Sequence, residues 1–365
     1  MIIEESTNPF GICFNLIKIK YQIYDDSLTS LGFLNPTDKI NVFINLETVL
    51  KYLSMTKDLE KKLVVNRNFP DYMESDIINI AAHYKDFFRG NGLDTKVYLY
   101  MTDLDSKISE FKETKYIEEF RSYYMNKYTE NPRFVLLGDR LRNEIIPNVK
   151  TICEFIPNVY FIQSKNIDGG VIPYIIAQAM PERKNLIISG DIHDTQYAYE
   201  KNFIDHLHIR GYNVNVLAAT TEDYLKTISK SKEISPDMVE LFKNGSFYRV
   251  LLACLGDKYR SVDGIRGIKF GKMVKILIDA LRDQKITKET RNASLLADLF
   301  PEDVREQIYQ NLQVLDICNE YEMLLEGDKK QIISQIIDRS DINALQQLNR
   351  TKFSNNQLRL ECLLK

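Results

Sequence analysis

Four aspartates in this chain stand where a folded sheet could gather them. Asp103 follows the run KVYLYM, Asp168 opens Asp168-Gly169-Gly170, Asp191 follows NLIIS-Gly, and Asp257 follows the apolar stretch Ser246–Leu255. Carboxylates brought together repel one another unless a cation sits among them. Such a cluster therefore points to a hard divalent ion, with Mg2+ the natural choice for an all-oxygen set. The competing reading is helix capping. Asp168 and Asp191 each precede a helical pattern, where aspartate is favoured anyway. Glu47, Asp105 and Asp194 are further carboxylates near the same sequence positions.

A second chemistry is written in Gly256–Leu277, GDKYRSVDGIRGIKFGKMVKIL. Gly264 and Gly267 bracket a tight turn between two helical patterns, where glycine permits positive φ and close backbone approach. Ile265 and Ile268 can plug that turn into a core. The amides of Gly264–Gly267 and of the next helix would then face one way, a geometry that binds phosphate oxygens. The carbonyls of the Gly264–Ile268 hairpin could instead ligate a monovalent cation. Lys258, Arg260, Arg266, Lys269, Lys272 and Lys275 supply local positive charge. Contacts through Gly264, Arg266, Gly267, Lys269, Lys272 and Lys275 would reach the DNA backbone, independent of sequence and sensitive to salt. The plain alternative is a helical hairpin with exposed lysines. His206-Leu207-His208, with His193 and Asp191, offers a transition-metal reading. Surface or hydrogen-bonded histidines are the favoured account of it.

These residues need elements to hold them. Ile40–Asn45, Lys96–Met101, Tyr160–Gln163, Asn185–Ser189 and Val214–Thr220 read as strands. Between them Leu46–Met55, Ile77–Arg89, a charged stretch over 107–157, and Val171–Met180 read as helices, with a loop over 56–75. That order predicts an α/β fold with a mainly parallel, doubly wound sheet flanked by helices. Ligand sites in such sheets lie at the carboxyl ends of the strands. Asn45, Asp103, the Asp168 loop and Asp191 all fall there. From about residue 236 the pattern is helical, with Lys272–Arg282 the clearest helix and three or four more over 289–345. The organisation is an N-terminal extension (1–38), an α/β domain (39–235), a helical clamp region (236–288) and a C-terminal helical extension (289–365).

Bulk properties set limits. The chain has 365 residues, enough for one large α/β domain with extensions or for two ordinary ones. A net charge of −3 means that any DNA contact must use a local basic patch. Five cysteines, an odd number without a CxxC, fit a reducing compartment, cytoplasmic or nucleoid-like, and argue against zinc. The start MIIEESTNPFGICF has no basic region followed by an apolar run, so no secretory signal is expected. No run of 18 apolar residues occurs, so no membrane partner is expected. The absence of Trp and the abundance of Ile, Lys, Asn and Tyr match the usage of AT-rich genomes, some phage genomes among them.

Two motifs carry a family resemblance. Gly256-Asp257-Lys258, Gly264-Ile265 and Gly267-Ile268, followed by the helix from Lys272, resemble the helix–three-turn–helix of flap endonucleases and of phage and bacterial 5′–3′ exonucleases, GDxSDNIPGVxGIGxKTAxxLL. Upstream, Ser189-Gly190-Asp191-Ile192-His193-Asp194-Thr195-Gln196 resembles that family's SGDxDxxQ. The resemblance spans about residues 40–285 and implies a PIN-like nuclease fold, a DNA-backbone clamp and a two-magnesium site. It matches Asp103, Asp191 and Asp257 to family carboxylates, with Asp168 and Glu47 as stand-ins. The family's other carboxylates are replaced: Asn45 ends the first strand, His193 takes the second Asp of SGDxD, and Arg260 takes the second Asp of GDxSD. The resemblance also sets Tyr116, Tyr123, Tyr124 and Tyr128 in the region that arches over a single strand. Three functions follow. The first is a catalytically impaired 5′-nuclease homologue that binds duplex or branched DNA, or serves as a scaffold beside replication or viral proteins. The second is an active, divergent Mg2+-dependent 5′ nuclease. The third is a protein-interaction module without DNA binding.

Overall fold

The computed structural model describes residues 37–54, 69–90, 92–103, 140–189, 191, 193–199, 203–208, 217–218, 225, 234–242, 244–257, 262–288, 290, 292–338 and 341–352. Its centre is a six-stranded sheet in the order β3-β2-β1-β4-β5-β6. The strands are β1 (Lys39–Asn45), β2 (Asp94–Thr102), β3 (Val159–Ser164), β4 (Lys184–Ser189), β5 (Phe203–His208) and β6 (Leu217–Ala218). β1 to β5 run parallel, and β6 is antiparallel to β5. The parallel strands read as nearly unbroken apolar runs, as strands covered on both faces do. In β1 every residue after Lys39 is buried.

Side chains alternate across the sheet with a period of two. Ile40, Val42 and Ile44 face one core, with Val97, Leu99 and Met101 of β2. That core is completed by α1 (Leu46–Ser54), α2 (Phe69–Gly90) and α3 (Ile146–Cys153), the last entered through a π-helical turn, Leu141–Ile145. Phe43, Tyr98, Tyr100 and Tyr160 face the other core, against α4 (Ile172–Ala179). A third core is helical. It joins α5 (Pro236–Leu241), α6 (Gly245–Leu255), α7 (Phe270–Arg282), α8 (Ala293–Ala297) and α9 (Glu302–Leu315).

The chain then returns to the sheet. Ile317 of α10 (Ile317–Met323) and Ile332 of α11 (Glu326–Ile333) enter the second core, and Leu345 of α12 (Ile342–Thr351) enters the first. Gln335 seals the edge strand β3 with its side-chain amide: Oε1 accepts the Gln163 N–H at 3.2 Å and Nε2 donates to Gln163 O at 3.0 Å. The Tyr160 hydroxyl donates to Asp338 beside it. An edge strand so covered offers fewer free groups for pairing with another chain.

Three differences from the sequence reading concern the elements themselves. α2 begins at Phe69, inside the stretch read as a loop over 56–75. Its polar residues Glu74, Ser75 and Asp76 are buried, and Glu74 is held by Asn148 Nδ2 at 2.8 Å and Lys352 Nζ at 2.6 Å. β5 went unread as a full strand, and only Leu217–Ala218 of the Val214–Thr220 run forms a described strand, antiparallel to its neighbour. Five helices, not three or four, occupy 293–351. The N-terminal extension up to residue 36 and most of 107–157, including Tyr116 to Tyr128, lie outside the described residues.

At the amino end of the strands Arg183 is buried with every arm engaged. Nε meets Asn41 Oδ1 at 2.6 Å, Nη1 meets Asp94 Oδ2 at 2.9 Å, and Nη2 donates to Ile40 O at 2.9 Å and Asp94 O at 2.8 Å. It joins β1, β2 and β4. Arg183→Ala would leave acceptors on β1 and β2 without their donor. Urea denaturation should show a loss of about 3 kcal/mol or more; a loss under about 1 kcal/mol would mean that the guanidinium is dispensable.

Candidate functional site

The order of the sheet reverses between β1 and β4, and crevices in open α/β sheets form at such switch points beyond the carboxyl ends. Two layers of polar side chains occupy that place. The inner one centres on Asp194, which is fully buried. Its Oδ2 accepts from Asn45 Nδ2 at 2.8 Å and from the Tyr100 hydroxyl at 2.9 Å. Asn45 Oδ1 in turn accepts the Thr48 N–H at 3.2 Å, so one amide both caps the start of α1 and neutralises a buried anion. Burial, and then the Asp194 charge, push the Tyr100 hydroxyl well above its usual value, so it remains a proton donor. His193 is buried beside them, with Nδ1 3.8 Å from Asp194 Oδ1.

The outer layer holds Glu47, Asp168 and Asp191. Glu47 Oε1 accepts the Thr102 N–H at 2.8 Å, and Thr102 Oγ1 accepts the Gly169 N–H at 2.9 Å. Asp168 Oδ1 accepts the Gly170 N–H at 2.7 Å, and Asp191 Oδ1 accepts the His193 N–H at 3.0 Å. A Cβ at Gly169 would stand 2.6 Å from Thr102 N, so only glycine lets the Asp168 loop come this close to β2. The Glu47 carboxyl is pushed up to about 7, chiefly by burial, then by the charge of Asp168 and less by that of Asp191, while hydrogen bonds to Thr102 oppose the rise. These three carboxylates share one electrostatic field.

The other two aspartates are placed differently. Asp103 Oδ2 accepts from Gln163 Nε2 at 2.9 Å, and its N–H donates to Ser164 O at 2.9 Å. Asp257 is buried in the hairpin after α6, where its main chain exchanges two hydrogen bonds with Val262 at 2.8 and 2.9 Å. Among the described residues, no three His, Cys, Asp or Glu side chains form a group that could hold a metal ion. Among the described residues the donor set falls short of a two-magnesium centre. An amide ends β1, its nitrogen already serves Asp194, and Asp168 and Asp191 each give an oxygen to a main-chain N–H. His206 and His208 lie on β5, whose side chains are outside the description.

The residues after His193 tie this end of the sheet to the helical region. Thr195 Oγ1 lies 2.5 Å from the Tyr248 hydroxyl of α6. Gln196 Nε2 donates to Leu315 O of α9 at 2.6 Å, and the Tyr197 hydroxyl donates to Gly170 O at 2.5 Å. Arg249 of α6 also meets Asp316 at 3.3 Å.

The hairpin between α6 and α7 has the shape that its glycines imply. α6 stops at Gly256, whose φ of 74° with ψ of 172° is a region that essentially only glycine visits. A Cβ there would lie 2.4 Å from both Gly264 N and Val262 O. Gly264 is needed for close approach rather than for positive φ: a Cβ would stand 2.6 Å from Leu255 O. Gly267, at φ 82°, supplies the positive φ at the tip. Ile265 and Ile268 are buried as plugs, and the Ile268 N–H closes the turn on Ile265 O at 3.1 Å. Arg266, Gly267, Lys269, Lys272 and Lys275 are exposed. Lys269, the N-cap residue of α7, makes no side-chain cap hydrogen bond. Among the described residues the first amides of α7, at the positive end of the helix dipole, thus lie beside exposed lysines spaced three apart. Lys258 and Arg260 lie outside the described residues.

Sheet and hairpin together define a doubly wound α/β domain whose switch-point end is joined to a helical hairpin with an open, cation-flanked amino end. No protein-family model matches the chain, and no curated protein matches it in sequence. Among solved structures it is similar to the D15 protein of T5 co-crystallised with metal ions, at 14% identity over 82% of this chain and 100% of that one, with a TM-score of 0.48. A complex of the bacteriophage T5 D15 flap endonuclease with product DNA and metal ions matches at 14% identity over 81% and 99%, TM-score 0.48. T5 5′-exonuclease with bound zinc matches at 13% identity over 87% and 99%, TM-score 0.44. The fold assignment itself rests on the strand order and the hairpin.

Two outcomes follow. Gly256→Ala should destabilise the chain by on the order of 3 kcal/mol in urea denaturation, because strain and a backbone clash coincide; a neutral substitution would contradict this backbone geometry. The second concerns Glu47. Its folded value, about 7, lies above the usual 4.5. Below 4.5 the group is neutral in both states; between 4.5 and 7 only the folded state keeps the proton, so its contribution to stability falls as pH rises through that window. In chelator-containing buffer, Glu47→Gln should gain on wild type from pH 5 to pH 7 and hold a constant lead above it. A gap that ignores pH would contradict the coupling.

Proposed function

We propose that this chain is a catalytically impaired homologue of the 5′ nucleases that binds the sugar–phosphate backbone of duplex or branched DNA, as a binding component of a replication or viral assembly. The observation that carries the reading is the uncapped start of α7, set between exposed Arg266, Lys269, Lys272 and Lys275 on a turn anchored by Ile265 and Ile268. Main-chain amides at a helix start with flanking cations suit phosphate oxygens. Amides and cations engaged on phosphate oxygens read no bases, so binding through them is insensitive to sequence. The impaired half is supported by what fills the strand ends. Asn45 and Tyr100 already neutralise Asp194, and main-chain N–H groups engage Asp168 and Asp191.

One observation favours the second reading, an active Mg2+-dependent 5′ nuclease: Glu47, Asp168 and Asp191 do share a field. A cleavage assay on a 5′-flap duplex in millimolar Mg2+ separates the two. The proposal expects no turnover above that of an Asp168→Ala, Asp191→Ala double variant. Robust cleavage by wild type, abolished in the double variant, would sink it.

Binding is tested on its own. Lys269→Glu with Lys272→Glu should weaken duplex affinity about ten- to a hundred-fold, and should lower the slope of log K against log salt by about 2. A salt-independent affinity, or one that the double variant leaves unchanged, would instead fit a protein-interaction module.

A further inference from the structure

The sheet end and the hairpin meet through one helix that lies outside both sequence motifs. The last four carbonyls of any α-helix lack partners within it. In α6, Leu252 O takes the Gly256 N–H at 2.8 Å and Cys254 O takes the Ile265 N–H at 2.8 Å. Ala253 O is taken by Asn311 Nδ2 of α9, at 2.7 Å. The same nitrogen donates to Asp263 O at 2.9 Å. A primary amide nitrogen carries two hydrogens. Asn311 therefore places one on each arm of the hairpin, across the glycine pair Gly256 and Gly264. It is fully buried, so it cannot itself touch DNA.

One turn further along α9, Leu315 O is again a terminal carbonyl, and Gln196 Nε2 fills it. Gln196 also donates to His193 O at 3.1 Å, next to the backbone that engages Asp191. Residues 311 and 315 lie four apart on α9, hence on one face. The last turn of α9 thus holds the hairpin through the side chain at 311 and the strand-end loop through the main-chain carbonyl at 315.

We infer that Asn311 is a positioning residue for backbone binding: from α9 it presets the 262–269 turn so that the amides at the start of α7 and the flanking lysines meet a phosphate together. This rests on the backbone-binding reading above. No other side chain of this size does the same work. Aspartate has the shape without the donors, leucine has the volume without the polarity, and glutamine sets its amide one methylene further from the main chain.

The test uses the full chain, a fluorescently labelled blunt DNA duplex read by anisotropy between 50 and 200 mM KCl, and hydrogen exchange resolved by peptide. Asn311→Leu and Asn311→Ser remove no charge. Both should nevertheless weaken duplex binding about ten-fold, the scale of losing two buried hydrogen bonds. The salt slope should fall towards that of the Lys269, Lys272 double variant, because fewer cations reach phosphate at once. Exchange should rise over 262–269 while β1 and β2 stay protected. Variants that bind within two-fold of wild type, or keep the full slope, overturn the inference. So does exchange that rises equally in the sheet, which would mark a merely structural role. Wild-type protein that fails to bind the duplex overturns the backbone-binding reading itself, and that result is separable because it appears without any substitution.

Discussion

A carboxylate taken out of water must be given donors, and Asp194 is the carboxylate around which this chain arranges itself. Two hydrogen bonds reach one of its oxygens, from the last residue of β1 and from a tyrosine of β2. Asp194 itself stands in the short helical turn after β4. Three neighbouring strands are thereby closed over a single charge. The turn's register is set with it, and the next three residues reach three different partners: Thr195 meets α6, Gln196 meets α9, and Tyr197 meets the Gly170 carbonyl. Removing one partner of such a buried set costs far more than the set contributes as a whole, because the remaining charge is left uncompensated.

The same arrangement bears on chemistry. A cluster of anions at strand ends can be stabilised by cations or by hydrogen-bond donors. The inner layer uses donors, and the outer layer gives oxygens to main-chain N–H groups. Glu47 is the group in which the tension shows, since burial first, and then the charge of Asp168 and less that of Asp191, push its carboxyl above the usual range. A run of exposed cations, Arg266, Lys269, Lys272 and Lys275, lies elsewhere, at the start of α7. A net charge of −3 conceals both facts, because it averages over a buried acidic end and a basic hairpin.

How far this was legible beforehand depends on the range over which each feature is determined. The parallel strands were legible because burial on both faces forces continuous apolar runs, and β1, β2, β3 and β4 each carry one. The hairpin was legible because Gly256, Gly264 and Gly267 answer local steric demands. The start of α2 was misread because Glu74 becomes a core residue only through Lys352, nearly three hundred positions away. Asn45 looked like a lost ligand, and its partner Asp194 lies 149 residues on. Asn311 and Gln335 gave no signal, since an amide matched to main-chain groups leaves no pattern in its own neighbourhood. Asp103 and Asp257 were readable as carboxylates, but their surroundings were not. One faces a glutamine of the neighbouring strand, and the other lies inside a closed turn.

The path of the tail has a consequence for the order of events during synthesis. After α9 the chain revisits the second face of the sheet through Ile317 and Ile332, then the first face through Leu345. Domains tend to fold as units while the chain emerges from its amino end. Here the sheet is not complete until residues made after α9 have packed on both faces and on the β3 edge. The nascent chain must carry open apolar faces and an uncovered strand edge past residue 300, the condition in which chaperone binding has the longest window to act.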